Sequence, residues 1–392
     1  MSSSLRHLLL LRRRGFSAAA AAAAVLSPSD PSAVLSAKQK SRAALSLLKS
    51  ESDPERILSI CRSADLHPSS HLDRHSLSLA ITNLSKTNST SSIQTLVSSL
   101  LLQRRDAKSL SHAIVLFGQA GMLDSALSAF TSSPPSTKNL NSLLFAAILA
   151  KDHPSVERFF RMFPDVEPDV DTYNVVVKSF SESGSTRSAY SLLDEMRKKN
   201  IEPNTTTFNT MISGFYRENK LDEVDKVIDL MRRKYNSQPG LSTYNERIMS
   251  LCKLKRSKEA KGLFDEMVRK KMKMNPVTYS HLIVGFCKEG DLEEAKRFYG
   301  EMKKKGLVAG SSCYFSLIHY LCQGEDFEAA LGVCNEMMER NWVPCFATMK
   351  LLVKGLAKIG KGEEASEIVG KMKERFPGNA EMWKEVEEGL PK

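Results

Sequence analysis

Seven cysteines and eight histidines are the residues best suited to metal or nucleophilic chemistry, and their spacing argues against both. Cys61, Cys252, Cys287, Cys313, Cys322, Cys334 and Cys345 are odd in number and contain no CxxC pair. That pattern disfavours a zinc site and a disulfide framework and suits a reducing compartment. The histidines form neither an HExxH nor an HxE…PCxxC arrangement, so the zinc hydrolase and zinc deaminase patterns are both missing. The segment Gly355–Gly362 (GLAKIGKG) approaches a phosphate-binding loop, but Gly362 stands where a serine or threonine is required and no strand pattern precedes it. An enzyme is therefore not expected, and no metal, cofactor or small-molecule substrate is expected with it. One regularity is left over: Cys252, Cys287 and Cys322 lie 35 residues apart.

That interval recurs in residues of other types. Tyr173, Phe208, Tyr244, Tyr279, Tyr314 and Met349 form one ladder; Ala189, Val224, Ala260, Ala295, Ala330 and Ala365 form a second; Met196, Met231, Met267, Met302, Met337 and Met372 form a third. Self-similarity at 20–50 residues marks a repeat protein. Within a unit the apolar spacing is helical, as in Tyr279, Leu282, Ile283 and Phe286, followed by Ala295, Phe298, Tyr299 and Met302. A glycine such as Gly184, Gly290 or Gly360 is expected to end the first helix, and a proline such as Pro168, Pro203, Pro239 or Pro344 to lie in the link to the next unit. A hairpin of this kind cannot cover its own apolar face, so an all-α fold of stacked hairpins, an α-solenoid, is predicted.

Units beginning three residues before the aromatic run 170–204, 205–240, 241–275, 276–310, 311–345 and 346–379, preceded by less regular units at 137–169, 107–136 and 72–106. Ser41–Lys49 and a helix entered through Asp53-Pro54-Glu55 are expected to form an N-terminal pair, with the aspartate as cap. A terminal helix over Glu381–Glu388 is expected to cap the far end. The resulting division is a leader over 1–35, N-terminal degenerate hairpins over 36–106, the repeat array over 107–379 and a capping helix within 380–392. Too little sequence follows the last repeat to hold a catalytic domain.

The chain carries 56 Lys+Arg against 45 Asp+Glu over 392 residues, a net charge of +11, so an acidic partner is favoured without being specified. Residues 1–29 hold Arg6, Arg12, Arg13 and Arg14, no acidic residue, and an alanine run from Ala18 to Ala24, the composition of an organelle transit peptide. The segment Arg14-Gly15-Phe16-Ser17 has the look of a mitochondrial processing site. Without residues 1–29 the balance is 52 basic to 45 acidic residues, or +7. No run of about 18 apolar residues exists, so no membrane span is predicted.

The segment from Val277-Thr-Tyr-Ser-His-Leu-Ile-Val-Gly-Phe-Cys-Lys-Glu-Gly290 through Ala295 and Glu301-Met302 to Gly306 closely resembles the pentatricopeptide repeat. The tetratricopeptide repeat, of 34 residues, has an early tryptophan and a Leu-Gly step that are absent here. The resemblance covers roughly residues 70–380 and implies a right-handed α-solenoid of ~35-residue helix-turn-helix repeats without an editing tail. It further implies single-stranded RNA as partner, with one base per repeat. On the family's pattern the base edge is met by the fifth and last residues of each unit: Asn141/Asp169, Asn174/Asn204, Asn209/Gly240, Asn245/Asn275, Ser280/Gly310, Phe315/Cys345 and Lys350/Ala380. The first, second and fourth pairs fit its pyrimidine-favouring combinations. Of the base-packing second residues only Val277 keeps the family's larger apolar type; Asp171, Thr206, Ser242, Ser312 and Ala347 do not. Arg217, Lys253, Lys288 and Lys358 stand where the family places a lysine facing the RNA backbone.

Each feature also has a structural reading. Asparagine after an aromatic can simply begin the first helix as a cap. The second-helix ends Arg197-Lys-Lys, Arg232-Arg-Lys, Arg269-Lys-Lys and Lys303-Lys-Lys can complement helix dipoles while solvated. The cysteine and methionine ladders are expected in the core.

Three functions stay open: a structural RNA-binding component of the mitochondrial ribosome, a factor selecting particular organelle transcripts for processing, stability or translation, and a protein-binding scaffold. Ser41–Arg62, Met211–Tyr216, Asn341–Pro344 and the ending Trp383-Lys-Glu-Val-Glu resemble a plant mitochondrial subgroup that belongs to the ribosome, some of it in the small subunit. That resemblance implies ribosomal RNA and mitochondrial ribosomal proteins as partners. The mitochondrial matrix is the expected location, with the chloroplast as the other organelle considered.

Overall fold

The computed structural model describes residues 36–67, 70–103, 107–340, 342, 345–375 and 380–388. The expected leader, its processing site and Pro344 lie outside them. The described residues form 21 α-helices and a short 3-10 turn at Thr186–Ser188, with no strand among them. Two compact units divide the chain, one ending at Glu202 and one running from Pro203 onward apart from the short stretch Gly184–Thr186.

In the N-terminal unit the hairpins are α1 Ala37–Leu48 with α2 Pro54–Ser63, α3 His71–Lys86 with α4 Thr90–Gln103, α5 Ala107–Gln119 with α6 Leu123–Thr131, α7 Thr137–Leu149 with α8 His153–Met162, and α9 Val170–Glu182 with α10 Ala189–Lys198. In the second unit they are α11 Thr205–Arg217 with α12 Leu221–Arg233, α13 Leu241–Lys253 with α14 Ser257–Arg269, α15 Pro276–Glu289 with α16 Leu292–Lys304, α17 Ser311–Gln323 with α18 Phe327–Glu339, and α19 Phe346–Lys358 with α20 Gly362–Arg375; α21 Ala380–Glu388 follows. Within each unit a first helix packs on its own second helix and on the first helix of the next hairpin. From residue 170 onward each first helix starts on the residue where the aromatic ladder begins a unit. The N-terminal pair differs in detail. α1 begins four residues before the expected Ser41, because Gln39 Oε1 accepts from the Ser36 N–H at 2.9 Å. Asp53 sits at the N-cap of α2 without a side-chain cap bond, and Glu51 Oε1 instead accepts from the Asp53 N–H at 3.0 Å.

The three ladders are the core. Tyr173, Ala189, Met196, Tyr279, Ala295 and Met302 are each fully enclosed, and Cys252, Cys287 and Cys322 lie in the same interior. Burial raises their thiols, Cys252 to about 11 and Cys287 and Cys322 to about 12, so they are uncharged packing groups. Gly285 allows α13 and α15 to approach closely, since a Cβ there would run into the side chain of Cys252. From α9 onward the turn after each first helix takes a left-handed residue: Gly184, Gly290 and Gly360 as expected, but also Asn219, Lys255 and Glu325 at φ values of 56°, 57° and 60°. Glycine is the unstrained choice at this position, and side-chain-bearing residues occupy it at a cost of roughly 1–2 kcal/mol.

A polar buckle joins the two helices of a hairpin. Tyr279 Oη donates to Glu301 Oε1 at 2.8 Å and accepts from Lys305 Nζ at 2.6 Å. Tyr244 donates to Glu266 at 2.6 Å and accepts from Lys270 at 2.7 Å. Tyr173 donates to Glu195 at 2.9 Å, with Lys199 Nζ 3.7 Å from the same carboxylate. The basic second-helix ends are thus not only solvated dipole partners: one lysine of each of these three runs reaches back to the buckle. Burial raises the Tyr279 hydroxyl above the ordinary tyrosine range, and the bond to Glu301 adds to this. Where the aromatic is Phe208, the residue 22 positions on is Leu230, so phenol and carboxylate disappear together. Tyr279→Phe should cost about 1 kcal/mol in denaturant unfolding. Adding Glu301→Leu should cost less than the sum of the two single changes, because the double variant restores the Phe208/Leu230 combination.

Candidate functional site

The last residue of a unit is, in the folded chain, the N-cap of the next first helix. Asp169 caps α9, Asn204 caps α11 and Asn275 caps α15. The fifth residues are not caps: Asn141, Asn174, Asn209, Asn245 and Ser280 lie one full turn inside their helices. The cap reading of the asparagine after the aromatic is therefore overturned, and the cap belongs to the other member of each proposed pair.

The cap also brings fifth and last residues together. Asn275 Oδ1 accepts from the Thr278 N–H at 3.1 Å, from Thr278 Oγ1 at 3.1 Å and from Asn245 Nδ2 at 3.3 Å. Thr278 Oγ1 lies 2.7 Å from Asn245 Oδ1. In the N-terminal unit Asp169 Oδ1 likewise accepts from the Thr172 N–H and hydroxyl, both at 2.8 Å, and from Asn141 Nδ2 at 3.1 Å. Partial burial opposes charge on Asp169, but these hydrogen bonds outweigh it and hold the carboxyl below its usual range. Asn174 and Asn204 fall in different compact units. Asn209 is paired by register with a glycine, Gly240, which has no side chain to offer.

The second residues Asp171, Thr206, Ser242, Val277, Ser312 and Ala347 are all exposed or half-buried; Val277 remains 46% accessible despite its apolar side chain. Arg217, Lys253, Lys288 and Lys358 are exposed at the ends of α11, α13, α15 and α19. Lys358 Nζ pairs with Glu325 at 2.7 Å, an exposed contact worth little. In α17 the same rung is Gln323.

Val277, Ser280, Lys253, Lys288, Gly310 and Ser312 share one cleft of about 410 Å³ formed on α13, α15 and α17. Residues chosen from three successive units by register alone therefore meet around a single cavity. His281, Met249, Cys313 and Ser316 also line it, and no periodic signal in the sequence marks them. The signal that would have found His281 is its place directly after the base-edge residue Ser280. Burial lowers the His281 imidazole below the ordinary histidine range, and the Lys253 charge lowers it further, so it is neutral at pH 7. Among the described residues no group of three His, Cys, Asp or Glu side chains could hold a metal ion, and no helix is long and apolar enough to cross a membrane.

The PPR repeat family matches residues 168–217 and 239–288, and the PPR repeat matches 206–235, 277–307, 313–342 and 347–375. A mitochondrial pentatricopeptide repeat-containing protein of Arabidopsis thaliana is 44% identical over 92% of this chain and 91% of its own length. The small ribosomal subunit protein mL103 (rPPR7) of Arabidopsis thaliana is 29% identical over 92% of this chain and 90% of its own. Among solved structures, the pentatricopeptide repeat protein PPR10 from maize superposes with a TM-score of 0.52 at 20% identity, covering 95% of this chain and 54% of that one. The solved protein thus shares the fold, and this chain spans about half its length.

Substitutions at the last position leave their mark inside the helix that follows. Where Gly240 replaces the cap, Thr243 Oγ1 and Asn209 Oδ1 are buried without a partner. Where Gly310 replaces it, the third residue is Cys313 rather than threonine, so no hydroxyl needs an acceptor. Gly240 has a φ of −98° and open space where a Cβ would stand, so Gly240→Asn should fit. Equilibrium unfolding should show a gain of about 1 kcal/mol, chiefly from pairing the two orphaned oxygens. Asn275→Ala, which breaks an intact cap, should cost about the same.

Proposed function

The chain belongs to the pentatricopeptide repeat family, and on that premise we propose that it is a mitochondrial RNA-binding protein that serves as a structural component of the ribosome. Repeat proteins of this kind meet one base per unit with two or three side chains. The observation that carries the RNA reading is the cleft on α13, α15 and α17. It gathers the base-packing, base-edge and backbone positions of neighbouring units and carries two lysines with no acidic residue among its lining.

The assignment of roles follows from the geometry. Asn141/Asp169 and Asn245/Asn275 are held as hydrogen-bonded pairs and would present a fixed polar edge to a base, with Asn174, Asn204 and Asn209 completing the series and Ser280 contributing from the cleft. Arg217, Lys253, Lys288 and Lys358 would contact phosphates, a contribution independent of sequence. Gly240, Gly310 and Cys345 weaken base reading in their units. An RNA already positioned by an assembled particle needs little linear reading, which supports a ribosomal role over transcript selection. The small-subunit relative, alike along nearly the whole chain, supports it as well. Residues 1–35 would act as the targeting leader, in keeping with the mitochondrial relative.

Gradient sedimentation of mitochondrial extract with RNA crosslinking tests the proposal. The protein should co-sediment with ribosomal RNA and shift when magnesium is chelated. Migration as a free 43.6 kDa monomer would overturn the ribosomal role. One or a few short pyrimidine-rich footprints on messenger RNA would replace it with transcript selection. Undiminished RNA retention on changing Arg217, Lys253, Lys288 and Lys358 to glutamate would favour a protein scaffold.

A further inference from the structure

The cleft on α15 lacks the side chain that the last position of its unit would supply. Gly310 has none, and Ser280 is engaged with the thiol of Cys313. The polar group without a hydrogen-bond partner in this cleft is the imidazole of His281, half-buried and neutral beside Lys253. A neutral imidazole offers one N–H donor and one acceptor nitrogen. The other strong donors in the cleft are the ammonium groups of Lys253 and Lys288. No carboxylate and no carboxamide lines it, so the cleft is rich in donors and poor in acceptors.

We propose that this cleft is a nucleobase pocket in which His281 is the specificity-determining residue, selecting bases whose exposed edge carries carbonyl oxygens, uracil or guanine, over the amino-bearing cytosine or adenine. A carbonyl oxygen at the edge accepts from the imidazole N–H and the Lys253 ammonium. An exocyclic amine in the same place meets donors and must leave its own hydrogens unpaired, which is the costly outcome in a partly buried site. Val277 supplies the apolar surface for the base face, and Lys288 remains for the adjoining phosphate.

The inference rests on the RNA-binding reading and deepens it for one unit. Uracil and cytosine differ at the edge by carbonyl against amine, so fluorescence anisotropy with U15 and C15 RNA, using the full chain at fixed salt, isolates the effect. His281→Ala should lower the preference for U15 over C15 roughly fivefold. His281→Gln, which keeps a donor and an acceptor, should retain most of it and so show that the loss is not one of folding. An unchanged preference in His281→Ala, or an equal weakening toward both RNAs in both variants, would overturn the assignment while leaving RNA binding intact. Failure of the unaltered chain to bind either RNA would overturn both readings together.

Discussion

The constraint on which everything else depends is that no hairpin of this chain can bury its own apolar face. Each contributes one large side chain early in its first helix and a small residue and a methionine in its second, and these are enclosed only when another hairpin stacks on them. The ladders Tyr173 to Met349, Ala189 to Ala365 and Met196 to Met372 are three views of that requirement. Polar groups are then fitted around it. Tyrosine can occupy the aromatic rung only if its hydroxyl finds a partner, and Glu195, Glu266 and Glu301 provide one from the second helix. Where Phe208 removes the hydroxyl, the glutamate goes as well.

The junction between units obeys a second requirement with functional weight. The residue that the family's pattern assigns to the base edge must first satisfy the start of a helix. Asp169 and Asn275 each commit one oxygen to the backbone N–H and hydroxyl of the following threonine, and to the asparagine one unit back. Erosion of that position therefore has a structural consequence independent of any ligand, visible as the orphaned oxygens near Gly240.

Helix type, hairpin organisation, repeat boundaries from residue 170 and core membership were legible in the sequence, because period and apolar spacing report directly on burial. The candidate face was legible only as far as register could carry it. Val277, Ser280 and the lysines 253 and 288 were found because each sits on a 35-residue rung. His281 and Cys313 were not, because they act through the shape of one cleft and no periodic signal marks them. The cap role of the last residue was hidden for a different reason. It depends on helix starts to within a single residue, which apolar periodicity leaves loose. In the same way, Asn219, Lys255 and Glu325 occupy a left-handed turn for which glycine is the only clear sequence signal.

The threonine bonds that lock the cap side chains reach into the entropy of association. Asp169 and Asn275 are held in single arrangements by several hydrogen bonds before any partner arrives, so little rotamer freedom is left for them to lose on binding. Immobilising a free polar side chain costs roughly 0.5–1.5 kcal/mol, and a surface whose reading groups are already fixed avoids that loss at each such unit. An array built this way can reach useful affinity with few contacts per unit. Units that have lost the cap, such as the one closed by Gly240, give up that rigidity along with the side chain.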